Sequence, residues 1–152
     1  MINNEGLELI EVFEGFSSKP YKDVAGIWTV GFGSIRGLDN KRVTSKHRRI
    51  TKKEATKLME RDLRTTESKI ASLVKVPVTE NQFAALCSFV YNVGSGAFQR
   101  STARMKLNRG NYEGCADEFL RWKYAGKKAI PGLLRRRKAE RKLFLSEEVN
   151  DI

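Results

Sequence analysis

Five glycines within one short stretch, Gly15, Gly26, Gly31, Gly33 and Gly37, interrupt a chain whose apolar residues otherwise recur at helical spacing. Glycine enters left-handed backbone without steric cost, so such a cluster cuts the chain into short pieces joined by tight turns. The pieces are Tyr21-Lys22, Ile27 to Val30 and a third around Ser34-Ile35. Their aromatic or alternating character predicts a small β-meander over residues 16–43. A small sheet set inside a mainly helical chain is an α+β organisation.

The flanks read as helices with named start and stop signals. Asn3 or Asn4 can cap a first helix carrying Leu7, Leu9, Ile10 and Phe13, which ends near Glu14 where Gly15 can turn left-handed. Thr51-Lys52-Lys53-Glu54 is a capping box ahead of Ala55, Leu58, Met59, Leu63, Ile70 and Leu73, so one long helix is predicted to about residue 73. Thr79 and Gln82 repeat that logic before Phe83, Leu86, Cys87, Val90 and Tyr91, the stripe of a core helix ended by Gly94 and Gly96. Shorter helices follow around residues 102–108 and 112–120. Pro131 opens a last one running to about Leu145.

The whole chain, 152 residues, is long enough for one domain with its own core. The expected organisation is a small β lobe over about 15–50, a linking helix over about 51–73, and a helical lobe over about 74–152 joined by the N-terminal helix. Cys87 and Cys115 sit beside apolar residues with no companion ligands, and read as buried free thiols rather than a metal motif. His47, the one histidine, lies in Lys46-His47-Arg48-Arg49 and is expected at the surface.

Charge narrows the partners. The formal net charge is +11, and residues 121–142 hold ten Lys and Arg against one acid, Glu140. A field of that sign favours anionic polymers and surfaces. The run Arg135-Arg136-Arg137-Lys138 reads as a solvated helix face. With Leu133, Leu134, Leu143 and Phe144 it makes an amphipathic helix suited to an anionic wall or membrane, and no specific nucleic acid is expected. Met1-Ile2-Asn3-Asn4-Glu5-Gly6 has neither the basic nor the apolar stretch of an export signal, so the product is expected in the cytosol.

Chemistry is concentrated in three residues: Glu14 at a helix end, Asp23 in the meander and Thr29 on a strand. The negative end of the helix dipole and the neighbouring Phe13 and Phe16 favour a protonated Glu14, suited to be a general acid. Asp23, among Lys22, Gly26 and backbone amides, is placed to remain ionised, and Thr29 can hold a water. Carboxyls whose environments diverge in this way are what glycosidic cleavage requires.

The residues around this trio resemble the phage-type lysozymes, or endolysins, of glycoside hydrolase family 24. The resemblance is carried by Leu9-Ile10-Glu11-Val12-Phe13-Glu14-Gly15-Phe16 and by Pro20-Tyr21-Lys22-Asp23-Val24-Ala25-Gly26-Ile27-Trp28-Thr29-Val30-Gly31-Phe32-Gly33. It continues through Phe89-Val90-Tyr91-Asn92-Val93-Gly94 with Phe98, and through Arg121-Trp122 to Arg141. It implies a lysozyme-like two-lobed fold with a cleft, catalytic roles for Glu14, Asp23 and Thr29, and substrate contacts from Phe32, Asn92, Phe98 and Arg136. One arginine, Arg136 or a neighbour, is implied to pair with Glu14. No cofactor or metal is implied.

The implied reaction is hydrolysis of the β-1,4 bond between N-acetylmuramic acid and N-acetylglucosamine in bacterial peptidoglycan. The chain is expected to act as a monomer on the periplasmic wall of a host bacterium, after a holin permeabilises the membrane. A lytic transglycosylase and a non-catalytic basic binder of wall or membrane are the alternatives. One departure stands out: many relatives place His where this chain has Ser34, which predicts a weaker local structure there.

Overall fold

A computed structural model describes residues 1–146; the expected helical lobe runs to residue 152, and its last six positions lie outside the described residues. The first helix, α1 (Asn4–Glu14), starts where the Asn3 side-chain oxygen accepts the Gly6 amide at 3.0 Å. It stops at Gly15, whose φ of +72° is left-handed. β1 (Ser17–Lys22) and β2 (Trp28–Gly31) then form an antiparallel hairpin that pairs Tyr21 with Thr29 and Lys22 with Trp28.

The expected third strand does not form. Ser34 makes a single bridge back to Val30, the two residues exchanging backbone hydrogen bonds at 2.9 Å. Gly31 at φ +70° and Gly33 at +104° reverse the chain too tightly for a strand to extend. At Gly31 a Cβ would also approach the Ala55 Cβ to 3.0 Å, so the hairpin backbone lies close against Ala55.

Ser34 itself is fully buried and is well held. Its hydroxyl donates to Asp62 Oδ2 at 2.7 Å, while Arg61 donates to Asp62 Oδ1 and to the carbonyls of Gly37 and Arg36. The predicted weakness is thereby offset by a hydrogen bond to a charged acceptor.

α2 (Lys52–Leu73) opens on the reciprocal capping box: the Glu54 amide donates to Thr51 Oγ1 at 3.1 Å, and the Thr51 amide to Glu54 Oε1 at 3.0 Å. α3 (Glu80–Val93) repeats it with Thr79 and Gln82 and ends at Gly94, φ +95°. After α3 come α4 (Ser95–Gln99), α5 (Thr102–Asn108) and α6 (Tyr112–Phe119). A two-residue hairpin, β3 (Tyr124–Ala125) with β4 (Lys128–Ala129), leads to α7 (Pro131–Leu145). Neither α4 nor this second hairpin is expected from the sequence.

The chain divides into two units, residues 14–65 and residues 1–13 with 66 onward. In the first, Val30, Phe32, Val43, Ile50, Ala55, Leu58, Met59 and Leu63 form the core. In the second, α3 packs on α7 and α5 on α6 around Phe89, which stacks on Phe119 at 4.5 Å and meets Phe98 and Trp122 edge-on. Cys87 and Cys115 are free and buried there, as expected; burial pushes the Cys115 thiol up to about 12 and raises Cys87 likewise.

Candidate active site

The hairpin unit holds all three predicted catalytic residues. Glu14 closes α1 and is half-buried, immediately before the turn at Gly15. Asp23 follows β1, and its Oδ1 accepts the amides of Ala25 and Ile27, both at 2.9 Å. The Asp23 amide donates to the Ile27 carbonyl and the Gly26 amide to the Asp23 carbonyl, also at 2.9 Å, closing the turn with Gly26 at φ +79°. One carboxylate oxygen thus holds the turn, which orients the other.

Thr29 lies on β2 and is 3 % exposed. Its hydroxyl donates to the Ile27 carbonyl at 2.9 Å. With its proton committed, the hydroxyl faces any water as an acceptor.

Strand register places a fourth residue beside these. Tyr21 pairs directly with Thr29, so both side chains lie on one face of the hairpin, while Lys22 and Trp28 take the other with the ammonium 5.5 Å from the indole ring. The Tyr21 phenol is raised above its ordinary value by its partial burial first, then by the charges of Glu14 and Asp23. Sequence reasoning misses Tyr21 as a site residue; its position two residues before Asp23 on a predicted strand is the signal that could have found it.

The predicted substrate-binding residues divide. Phe32 and Phe98 are 2 % and 0 % exposed, so the expectation that they line a glycan surface is corrected: Phe32 packs against Phe16 and Phe98 against Phe89. Arg136 is likewise 3 % exposed, its guanidinium donating to Glu140 and to the Ser88 carbonyl. Burial makes it an internal cation, since a solvated helix face would leave it in water. Asn92, by contrast, is exposed and accepts a hydrogen bond from Arg137 at 2.7 Å. The signal for Arg137 in the sequence is Glu140 three residues further along the helix, a helical spacing that in the basic run only Arg136, at four, shares.

His47 is half-buried, with Nδ1 donating to the Arg48 carbonyl at 2.7 Å. Among the described residues no His, Cys, Asp and Glu gather as a metal site, and no helix is long and apolar enough to cross a membrane.

A mainly helical α+β chain with one acid at a helix end and another on a hairpin turn defines a lysozyme-like protein. Residues 11–140 match the family model described as Phage lysozyme. The chain is 43% identical over 145 residues to the endolysin of Salmonella phage P22, covering 95% of this chain and 98% of that one. It is 41% identical to a SAR-endolysin of Enterobacteria phage PA-2, covering 93% and 79%. Among solved structures, a P22 lysozyme mutant superposes with a TM-score of 0.87 at 42% identity, covering 96% of this chain and 99% of the other. The muramidase domain of SpmX from Asticaccaulis excentricus gives 0.85 at 31% identity, covering 97% and 99%. The chain belongs to the phage lysozyme family.

Proposed function

We propose that this enzyme, a glycoside hydrolase of the muramidase type, is an endolysin that degrades bacterial peptidoglycan, with Glu14, Asp23 and Thr29 performing the cleavage. Glu14 gives its proton to the glycosidic oxygen as the bond to the anomeric carbon breaks. Asp23 stabilises the oxocarbenium-like charge with its outward oxygen and receives the proton of the attacking water. Thr29, already donating to Ile27, accepts a hydrogen bond from that water and turns its lone pair towards the anomeric carbon. The bond cut is the β-1,4 linkage between N-acetylmuramic acid and N-acetylglucosamine.

The observation that carries this reading is the hydrogen bonding of the hairpin turn: the Ala25 and Ile27 amides hold Asp23 Oδ1 and the Ile27 carbonyl takes the Thr29 proton, in the same unit as Glu14 at the end of α1. A lytic transglycosylase employs one acid and no water, which leaves an oriented Asp23 and an acceptor Thr29 without a task. The substrate lies outside the inner membrane, so the proposal includes a holin as functional partner, release to the periplasmic wall, action as a monomer, and contact of the basic α7 with anionic wall or membrane.

Glu14→Gln is the direct test. Loss of the general acid should lower the rate on purified sacculi at least about 100-fold with the melting temperature kept. Mass analysis of muropeptides released by the wild type should find reducing ends; anhydro ends, lighter by one water, would establish the transglycosylase. Undiminished activity in Glu14→Gln would establish a non-catalytic mode of lysis.

A further inference from the structure

Apart from the catalytic trio, the hairpin unit carries an unneutralised pair of arginines. Residues 36–42 double back as a short ribbon in which Arg36 and Arg42 stand directly opposite each other in an antiparallel bridge. The flanking hydrogen bonds run from the Gly37 amide to the Lys41 carbonyl at 2.9 Å and from the Val43 amide to the Ile35 carbonyl at 2.8 Å. Arg36 and Arg42 are therefore a non-hydrogen-bonded pair, the kind whose side chains share one face and approach most closely. Both are exposed, and among the described residues no carboxylate forms an ion pair with either.

The ribbon is held in this form. Arg61 donates to the carbonyls of Gly37 at 2.6 Å and Arg36 at 2.9 Å while it pairs with Asp62, and Val43 is buried. Arg36 donates to the Asn40 carbonyl at 3.0 Å, where the tip turns with φ +62°. The surrounding field has one sign: residues 36–57 hold nine Lys and Arg against two acids. Both acids are engaged, Glu54 by Arg48 and Asp39 by the Lys41 amide.

We propose that Arg36 and Arg42 together bind a carboxylate of the peptide stems of peptidoglycan, holding the wall polymer at the unit that carries Glu14, Asp23 and Thr29. This rests on the peptidoglycan reading above, and the contact is made by a different unit from α7.

Like charges directly opposite on a ribbon are destabilising. That cost is recovered when an anion sits between them, because each guanidinium offers a fork of N–H donors that matches the two oxygens of a carboxylate. Within the substrate only the stems supply such a group. N-acetylglucosamine is uncharged, the lactyl carboxyl of N-acetylmuramic acid is consumed in its bond to the stem, and the stem itself carries free carboxylates.

Binding is read by co-sedimentation with intact sacculi at low salt, using the full chain carrying Glu14→Gln so that the wall is not digested. Arg36→Gln and Arg42→Gln should each weaken binding about threefold, the size of one exposed ion pair, and the two together about tenfold. Sacculi whose carboxylates have been converted to amides should bind the parent at least about tenfold more weakly and should no longer distinguish it from the double variant. Lys127→Gln with Lys128→Gln removes the same charge from the exposed β3–β4 hairpin and should change affinity less than about twofold. Arg42→Glu, which sets a carboxylate opposite Arg36, should bind as weakly as the double variant and melt up to about 3 °C higher.

Unchanged affinity in the double variant or in Arg42→Glu overturns the proposal, as does an equal loss on amidated sacculi. An equal loss from the Lys127 and Lys128 changes would make the effect one of overall charge and overturn the site. Weaker binding of the double variant to duplex DNA or phosphatidylglycerol vesicles, with binding to sacculi kept, would give the pair to a phosphate ligand and overturn the stem assignment. Failure of the muramidase reading shows separately, as wild-type protein that sediments with sacculi and releases no muropeptide.

Discussion

Glu140→Gln removes one negative charge from a site with no water to replace it. Glu140 is 0 % exposed and the side chains it faces, Arg136 and Arg137, are 4 % and 0 % exposed. Burial raises the Glu140 carboxyl above its ordinary value, and the two guanidiniums and the Ser88 hydroxyl oppose that shift. Glutamine preserves the volume and an acceptor for Ser88 but turns its amide nitrogen towards the Arg137 guanidinium, so the change removes the charge and one acceptor together. Removing one partner of a buried pair costs about 3–5 kcal/mol, because the cations left behind stay desolvated. Against a total stability of about 5–15 kcal/mol, and at roughly 2–4 °C per kcal/mol for a chain of this length, the melting temperature should fall by about 6–20 °C.

Urea unfolding followed by circular dichroism, with an unchanged slope, measures the same loss at equilibrium. A triple variant, Arg136→Met with Arg137→Met and Glu140→Leu, made together with Ser88→Ala so that no buried hydroxyl loses its acceptor, should be less destabilised than Glu140→Gln. If Glu140→Gln melted with the wild type, the desolvated-cation argument would be refuted. If the triple variant were as unstable as the single one, the cluster would be a packing requirement and not an electrostatic one.

The hairpin unit carries two further expected outcomes. Ser34→Ala deletes a buried hydroxyl donating to Asp62, which keeps its bonds from Arg61, so the loss should be about 1.5 kcal/mol, seen as a fall of roughly 3–6 °C in melting temperature; an unchanged melting temperature would show that Ser34 adds nothing to the turn. Glu54 is held down at about 2, by its hydrogen bond with Arg48 first and by the Thr51 amide second, from an ordinary 4.5. Its folded pKa is the lower one, so its contribution is complete above about 4.5 and vanishes as pH falls through about 2. Melting curves of wild type and Glu54→Gln should therefore differ near neutral pH and converge near pH 2, whereas a constant offset would assign the effect to the cap geometry alone.

What the sequence discloses is local chemistry. The capping boxes at Thr51 and Thr79 place the starts of α2 and α3, because the signal lies in residues three apart and needs no tertiary information. The left-handed turn at Gly15 is legible for the same reason. The third strand is not, since the alternation that suggests Ser34-Ile35 is silent about the reversal imposed by Gly31 and Gly33. Two-residue strands around Gly126 and the five-residue α4 are too short for any periodicity to register. The run of arginines misleads most: Arg136 and Arg137 read as solvated, yet Glu140 stands four and three residues beyond them, the spacing at which helical side chains meet. Phe32 and Phe98 likewise prove to be aromatic core residues, and which aromatics remain exposed is decided by the whole packing arrangement.

Asp23 and Thr29 of the proposed catalytic trio share one device, which the family resemblance alone does not supply. In each, a polar group with two faces has one face occupied by a partner of fixed hydrogen-bond direction, and the remaining face is thereby assigned. The Ala25 and Ile27 amides occupy Asp23 Oδ1 and leave Oδ2; the Ile27 carbonyl takes the Thr29 proton and leaves acceptor lone pairs. A group oriented before substrate arrives does not have to be reorganised during the reaction, which is where most electrostatic stabilisation of a transition state is won or lost. Substitutions at the orienting partners should accordingly act mainly through the group they orient. The Ala25 and Ile27 amides are backbone donors that proline alone removes, having no N–H, so Ala25→Pro is the substitution that opens this device to mutation.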